Sequence, residues 1–106
     1  MSEDSDFTLE VISIIKSVPS GKVLTYGLVA KIAGNSRAAR QVSRILHSLT
    51  KKFDLPWHRI INSKGEISLK FEGGEQQRML LEREGVEFST NQKIDLKKYL
   101  WKNKQL

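Results

Sequence analysis

TYGLVAKIAGNSRAARQVSRILHSL, running from Thr25 to Leu49, is the stretch whose reading decides the fold. Leu28, Val29 and Ile32 follow Thr25 at helical spacing, and the threonine hydroxyl suits an N-cap. Gly34 then offers the residue that most readily closes a helix in the left-handed conformation. Asn35 or Ser36 is placed to cap a second helix reaching about Leu49, with the apolar stripe Ala39, Val42, Ile45, Leu46 and Leu49. Arg37, Arg40 and Arg44 are spaced by three and four, so they share another face. Two short helices joined by a tight glycine turn, the second of them basic, predict a helix-turn-helix.

Working outward, Phe7, Val11, Ile12, Ile14, Ile15 and Val18 suit an earlier helix, capped by Ser5 or Asp6 and stopped by Pro19-Ser20-Gly21. Lys22-Val23-Leu24 reads as a short extended link. Downstream, Ile60-Ile61 and Ile67-Ser68-Leu69 flank Asn62-Ser63-Lys64-Gly65, a pattern that predicts a β-hairpin and hence a wing. Gly73-Gly74 reads as a chain break, residues 75–84 as a last long helix, and Gly85 as its stop. Ile94, Leu96, Tyr99, Leu100 and Trp101 are apolar enough for the tail to pack onto the domain. The expected fold is mainly α with a small β-hairpin, winged helix-turn-helix-like. It forms one domain over residues 1–106, with an acidic segment at 1–6 and a C-terminal extension at 89–106.

Charge is distributed unevenly. The 106 residues carry 18 Lys and Arg against 12 Asp and Glu, a net +6. Glu3, Asp4, Asp6 and Glu10 take four of those acids, and none falls between Val11 and Phe53. That stretch holds Lys16, Lys22, Lys31, Arg37, Arg40, Arg44, Lys51 and Lys52, a basic block without counter-charges that is the footprint of a polyanion-binding surface. The chain has no Cys, so it has no disulfide, no thiolate-bound zinc and no thiol nucleophile. No apolar run approaches the ~20 residues of a membrane span. The N-terminus does not read as a signal peptide, and a cytoplasmic setting is expected, nucleoid-associated if the source is bacterial.

The segment Pro56-Trp57-His58-Arg59-Ile60-Ile61-Asn62-Ser63-Lys64-Gly65 resembles the active-site signature of O6-alkylguanine-DNA alkyltransferases, Pro-Cys-His-Arg, with Trp57 in the cysteine's place. Three further runs are similar to that family's in order and spacing. Val18 to Gly27 is like the run around its flipping tyrosine. Ala38-Ala39-Arg40-Gln41-Val42 is like the start of its DNA-reading helix. Leu80-Leu81-Glu82-Arg83-Glu84-Gly85 is like its last motif. The resemblance covers roughly residues 7–88, and tryptophan at this position marks the alkyltransferase-like proteins, a non-enzymatic branch.

The resemblance implies the fold of the alkyltransferases' C-terminal domain and a helix lying in the DNA minor groove, unlike the usual helix-turn-helix. It implies that Tyr26 rotates the target nucleotide and that Arg40 fills the vacated stack. The implied DNA-facing set is Thr25, Tyr26, Arg37, Ala38, Ala39, Arg40, Ser43 and Arg44. The implied lesion pocket is Tyr26, Trp57, His58, Arg59, Lys70 and Glu84. Base extrusion is required because pairing occupies the O6 edge of guanine inside a duplex. An indole cannot attack an alkyl carbon as a thiolate does, so no catalytic residue is expected. Trp57 offers instead an apolar wall, and His58 and Glu84, without a thiol to activate, are left as a hydrogen-bonded brace.

The reading that results is a DNA-damage sensor. It binds duplex DNA containing O6-alkylguanine, makes no alkyl transfer and flags the site for nucleotide excision repair proteins, the last as the branch implies. It is expected to work as a monomer with no cofactor, metal or membrane. Two alternatives stand beside it: a hydrolase or glycosylase acting on the flipped base through His58, and a winged-helix transcription regulator, which would leave Pro-Trp-His-Arg unexplained.

Overall fold

A computed structural model describes residues 6–69 and 71–102. The element order is α1 (Asp6–Ser17), β1 (Leu24–Thr25), α2 (Tyr26–Ile32), α3 (Ala39–Phe53), a 3₁₀ turn (Trp57–Arg59), β2 (Ile60–Ile61), α4 (Phe71–Arg83) and α5 (Leu96–Tyr99). Among the described residues no helix is long and apolar enough to cross a membrane.

Helices α1, α2 and α3 enclose the main core: Val11, Ile12, Ile14 and Ile15 from α1, Val29 and Ala30 from α2, and Val42, Ile45 and Leu46 from α3. A second cluster lies below it, built from Val23, Ile61, Leu81, Val86, Ile94 and Tyr99. The two-stranded sheet divides them. Side chains alternate along a strand, so Leu24 and Ile60 enter the upper core while Val23 and Ile61 enter the lower one.

Local punctuation acts as the sequence predicts at α2. Thr25 Oγ1 accepts from Leu28 N–H at 3.1 Å, and Gly34 follows the C-cap Ala33 with φ 105°. At α3 the predicted start is corrected. Asn35 Oδ1 accepts from Arg37 N–H at 3.1 Å in a turn of its own, and the helix begins only after Ala38, which makes no side-chain cap. It also runs past Leu49 to Phe53, where Asp54 closes it with φ 53°. The possible Ser5 cap of α1 lies outside the described residues.

The hairpin expectation is corrected too. The turn after Ile61 forms: Asn62 Oδ1 accepts from the N–H groups of Lys64 at 3.0 Å and Glu66 at 2.8 Å. The chain leaving it does not pair alongside β2. Strand β2 instead pairs in parallel with β1, Leu24 opposite Ile60 and Thr25 opposite Ile61, while Glu66 bridges to Lys93. The apolar pair Ile60-Ile61 is buried on both faces, which requires a partner inside the domain rather than an exposed wing.

Gly73-Gly74 does not break the chain; both lie within α4. Gly74 is there because a Cβ would sit 2.6 Å from the Leu69 carbonyl oxygen, so the helix meets the preceding loop closer than any side chain permits. The tail packs as expected. Val23 N–H donates to Tyr99 O at 2.9 Å and Trp101 N–H to Val23 O at 2.8 Å, and Leu100 and Trp101 rest on the main core.

Candidate nucleic-acid interface and pocket

The exposed face of α3 carries the basic residues. Arg40 and Arg44 project from the helix and Arg37 from the turn before it, and all three are exposed. With Asn35, Ala38 and Gln41 they border a shallow cleft at the N-terminal end of α3. Among the described residues none of the three arginines forms an ion pair, so their charge stays available to an anion. Ala39 is half-buried and Ala38 buried, the latter packing into the main core. The small size of Ala38 therefore serves the helix junction, and what it offers outward is backbone. Thr25 is likewise buried, its hydroxyl spent on capping α2.

Beside this face opens a pocket of about 260 Å³ lined by Tyr26, Ser43, Leu46, His47, Thr50, Trp57 and Leu69. The first residue of α2, the middle of α3, the 3₁₀ turn and the loop before α4 each supply part of it. Tyr26 and Trp57 give two aromatic walls, and Leu46 and Leu69 complete an apolar lining. Such a chamber, with Ser43, His47 and Thr50 as the polar part of its lining, suits a planar base.

Of the six residues expected in the pocket, Tyr26 and Trp57 line it. His58, Arg59 and Glu84 stand behind it, His58 and Glu84 as the hydrogen-bonded brace expected of them. Their polar atoms are consumed behind it in a brace. His58 Nε2 lies 2.7 Å from Glu84 Oε2. Arg59 donates to the same carboxylate through Nη2 at 2.8 Å and through Nε at 3.1 Å, and through Nη1 to Val18 O at 2.9 Å. Gly21 N–H donates to Glu84 Oε1 at 2.9 Å. Burial pushes the Glu84 carboxyl up, but the hydrogen bonds from Arg59, Gly21 and His58 outweigh it and hold its pKa at about 2, below the ordinary 4.5. Lys70 lies outside the described residues.

Leu46, His47, Thr50 and Leu69 line the pocket without having been expected there. The signal was present for three of them: 43, 46, 47 and 50 follow the i, i+3, i+4, i+7 spacing of one helix face. Gln77 was also missed. It is 2% exposed, and its amide nitrogen donates to His58 O at 3.1 Å and Ile60 O at 2.9 Å, fastening the 3₁₀ turn that presents Trp57. Among the described residues no group of three or more His, Cys, Asp or Glu is placed to hold a metal ion.

Known proteins share both the sequence and this geometry. Residues 6–86 match the family model described as the DNA-binding domain of 6-O-methylguanine DNA methyltransferase. The chain is 45% identical over 101 residues to the DNA base-flipping protein of Escherichia coli K12, an alignment covering 95% of this chain and 78% of the relative. It is 40% identical over 103 residues to alkyltransferase-like protein 1 of Schizosaccharomyces pombe, covering 92% of this chain and 95% of that one. The crystal structure of S. pombe Atl1 in complex with damaged DNA containing O6-carboxymethylguanine superposes with a TM-score of 0.82 at 38% identity, over 97% of this chain and 100% of that one. Sequence and fold agree: the chain belongs to the 6-O-methylguanine DNA methyltransferase DNA-binding-domain family, in its alkyltransferase-like branch.

Proposed function

We propose that this protein is a sensor of alkylated guanine in duplex DNA. Arg37, Arg40 and Arg44 draw the face of α3 onto the phosphates and into the minor groove. Tyr26 turns the damaged nucleotide outward, Arg40 takes the vacated place in the stack, and the O6-alkylguanine is held against Trp57. A guanidinium suits the plug because it both hydrogen-bonds and stacks. The bound lesion undergoes no alkyl transfer, since the chain carries no Cys. A long-lived complex on distorted DNA then marks the site for nucleotide excision repair.

One observation carries this reading: an indole walls an open pocket of about 260 Å³ next to a helix face of exposed arginines. The relatives' names and the damaged DNA bound to S. pombe Atl1 support it. The test is binding to matched duplexes with and without a single O6-methylguanine, followed by mass spectrometry of the protein. Preference for the modified duplex with an unchanged protein mass is expected. Equal affinity for both duplexes would reject the sensor, and released base or a mass gain would make it an enzyme.

A further inference from the structure

Two rows of residues run along α3. Arg37, just before it, then Arg40, Arg44, His47 and Lys51 recur at three or four positions, and all five are exposed. Ser43, Leu46, His47 and Thr50 recur in the same manner and line the pocket. His47 alone belongs to both rows. Its imidazole stands where the basic face meets the mouth of the pocket.

Among the described residues that line the pocket, His47 is the one basic side chain. From α2 the pocket receives the Tyr26 phenol, from the 3₁₀ turn the Trp57 indole and from the loop before α4 the Leu69 side chain. His58 lies behind Trp57, ring centroids 6.2 Å apart, and is engaged by Glu84. On α3 itself the neighbouring charges are Arg44 and Lys51, one turn to either side, and the Thr50 hydroxyl donates to the Leu46 carbonyl. No carboxylate lines the pocket among the described residues.

We propose that His47 makes this pocket select O6 substituents that end in a carboxylate over neutral alkyl groups. The inference deepens the lesion-sensor reading and rests on it. An imidazolium gives a carboxylate a charge-assisted hydrogen bond, whereas it gives a methyl group nothing. Imidazole is the side chain that ordinarily changes charge between about pH 5 and 8. Lowering the pH therefore strengthens the hold on an acidic substituent. Any gain from His47 on the DNA phosphates raises all duplexes alike and cancels from a ratio.

The experiment measures affinity for three otherwise identical duplexes, carrying guanine, O6-methylguanine or O6-carboxymethylguanine, at about pH 5.5 and about pH 8. The preference for carboxymethyl over methyl is expected to rise about three- to tenfold at the lower pH. His47→Gln keeps a polar side chain of similar reach without the titration, and should show no such rise. His47→Lys should hold the higher preference at both pH values. The site is exposed, so neither change threatens the fold. A wild-type preference that ignores pH, or a rise that persists in His47→Gln, would overturn the assignment. If neither lesion binds better than plain guanine, the sensor reading itself fails and takes this one with it, a result distinct from selective binding that is blind to pH.

Discussion

The backbone N–H of Gly21 donates to Glu84 Oε1 at 2.9 Å across 63 positions of sequence, tying the loop after α1 to the end of α4. Gly21 stands at φ 86°, a conformation that aims the N–H without a Cβ penalty. Arg59 and His58 complete the ring around the same carboxylate. The turn that presents Trp57 is thus held from behind by charge.

This brace makes stability depend on acid. The folded Glu84 carboxyl has a pKa of about 2 against an ordinary 4.5, so its folded value is depressed. A depressed carboxyl contributes stability that is fully present above its unfolded pKa and is lost as pH falls through its folded one. Its contribution of about 2–3 kcal/mol should therefore vanish between roughly pH 4.5 and 2. Urea melts across that range, compared between wild type and Glu84→Gln, check it. The variant should start weaker at neutral pH and lose less on acidification; parallel curves would remove Glu84 from the account.

Gln77→Leu should destabilise by about 2–4 kcal/mol, because the buried Ile60 carbonyl and the part-buried His58 carbonyl lose their shared donor. Gln77→Glu should be at least as costly, since a carboxylate would face both oxygens with no proton to give. Chemical denaturation at neutral pH measures both. A loss under about 0.5 kcal/mol, the scale of an ordinary surface substitution, would mean that water or a neighbour replaces the amide.

These two residues show where sequence reading reaches and where it stops. Thr25 and Gly34 were legible because caps are local: the hydroxyl and the N–H it accepts are three residues apart. Trp57 was legible through its motif. The partner of Ile60-Ile61 was not, because Leu24-Thr25 lies some 36 positions away and nothing local ranks it above Ile67-Ser68-Leu69. Gly73-Gly74 misled for a related reason. A glycine that breaks a chain and one that lets a helix touch a carbonyl look alike until the carbonyl is in place. Gln77 had no signal, since a polar residue in a helix ordinarily faces water.

Arg40→Ala should weaken binding to O6-methylguanine duplex by about 1–3 kcal/mol, the scale of one specific base contact. Arg44→Ala, as the loss of a phosphate contact, should weaken modified and unmodified duplexes alike and reduce the salt slope by about one. Titrations over a range of salt separate the two. If Arg40→Ala also cost both duplexes equally, its assignment as the residue that fills the stack would be wrong.

Trp57→Cys creates the run Pro-Cys-His-Arg in a chain with His58, Arg59 and Glu84 braced behind it. His58 Nε2 already stands 2.7 Å from the Glu84 carboxylate. Alkyl transfer needs more than that pair. The thiolate must stand about 3–3.5 Å from the alkyl carbon and in line with the departing oxygen. Here the indole itself forms part of the wall of a pocket of about 260 Å³, and replacing it with a two-atom side chain enlarges that space and removes the surface that positions the base. The rest of the lining, Leu46, Leu69 and Tyr26 among it, offers no replacement that would push the alkyl group toward the new sulfur. The expected outcome is a protein that still binds O6-methylguanine duplex, more weakly by about 1–2 kcal/mol for the lost aromatic contact, and gains no alkyl group. Mass spectrometry of the variant after incubation with excess modified duplex reads the result. A stoichiometric increase mapped to position 57 would show that the pocket remains an alkyltransferase site lacking only its nucleophile.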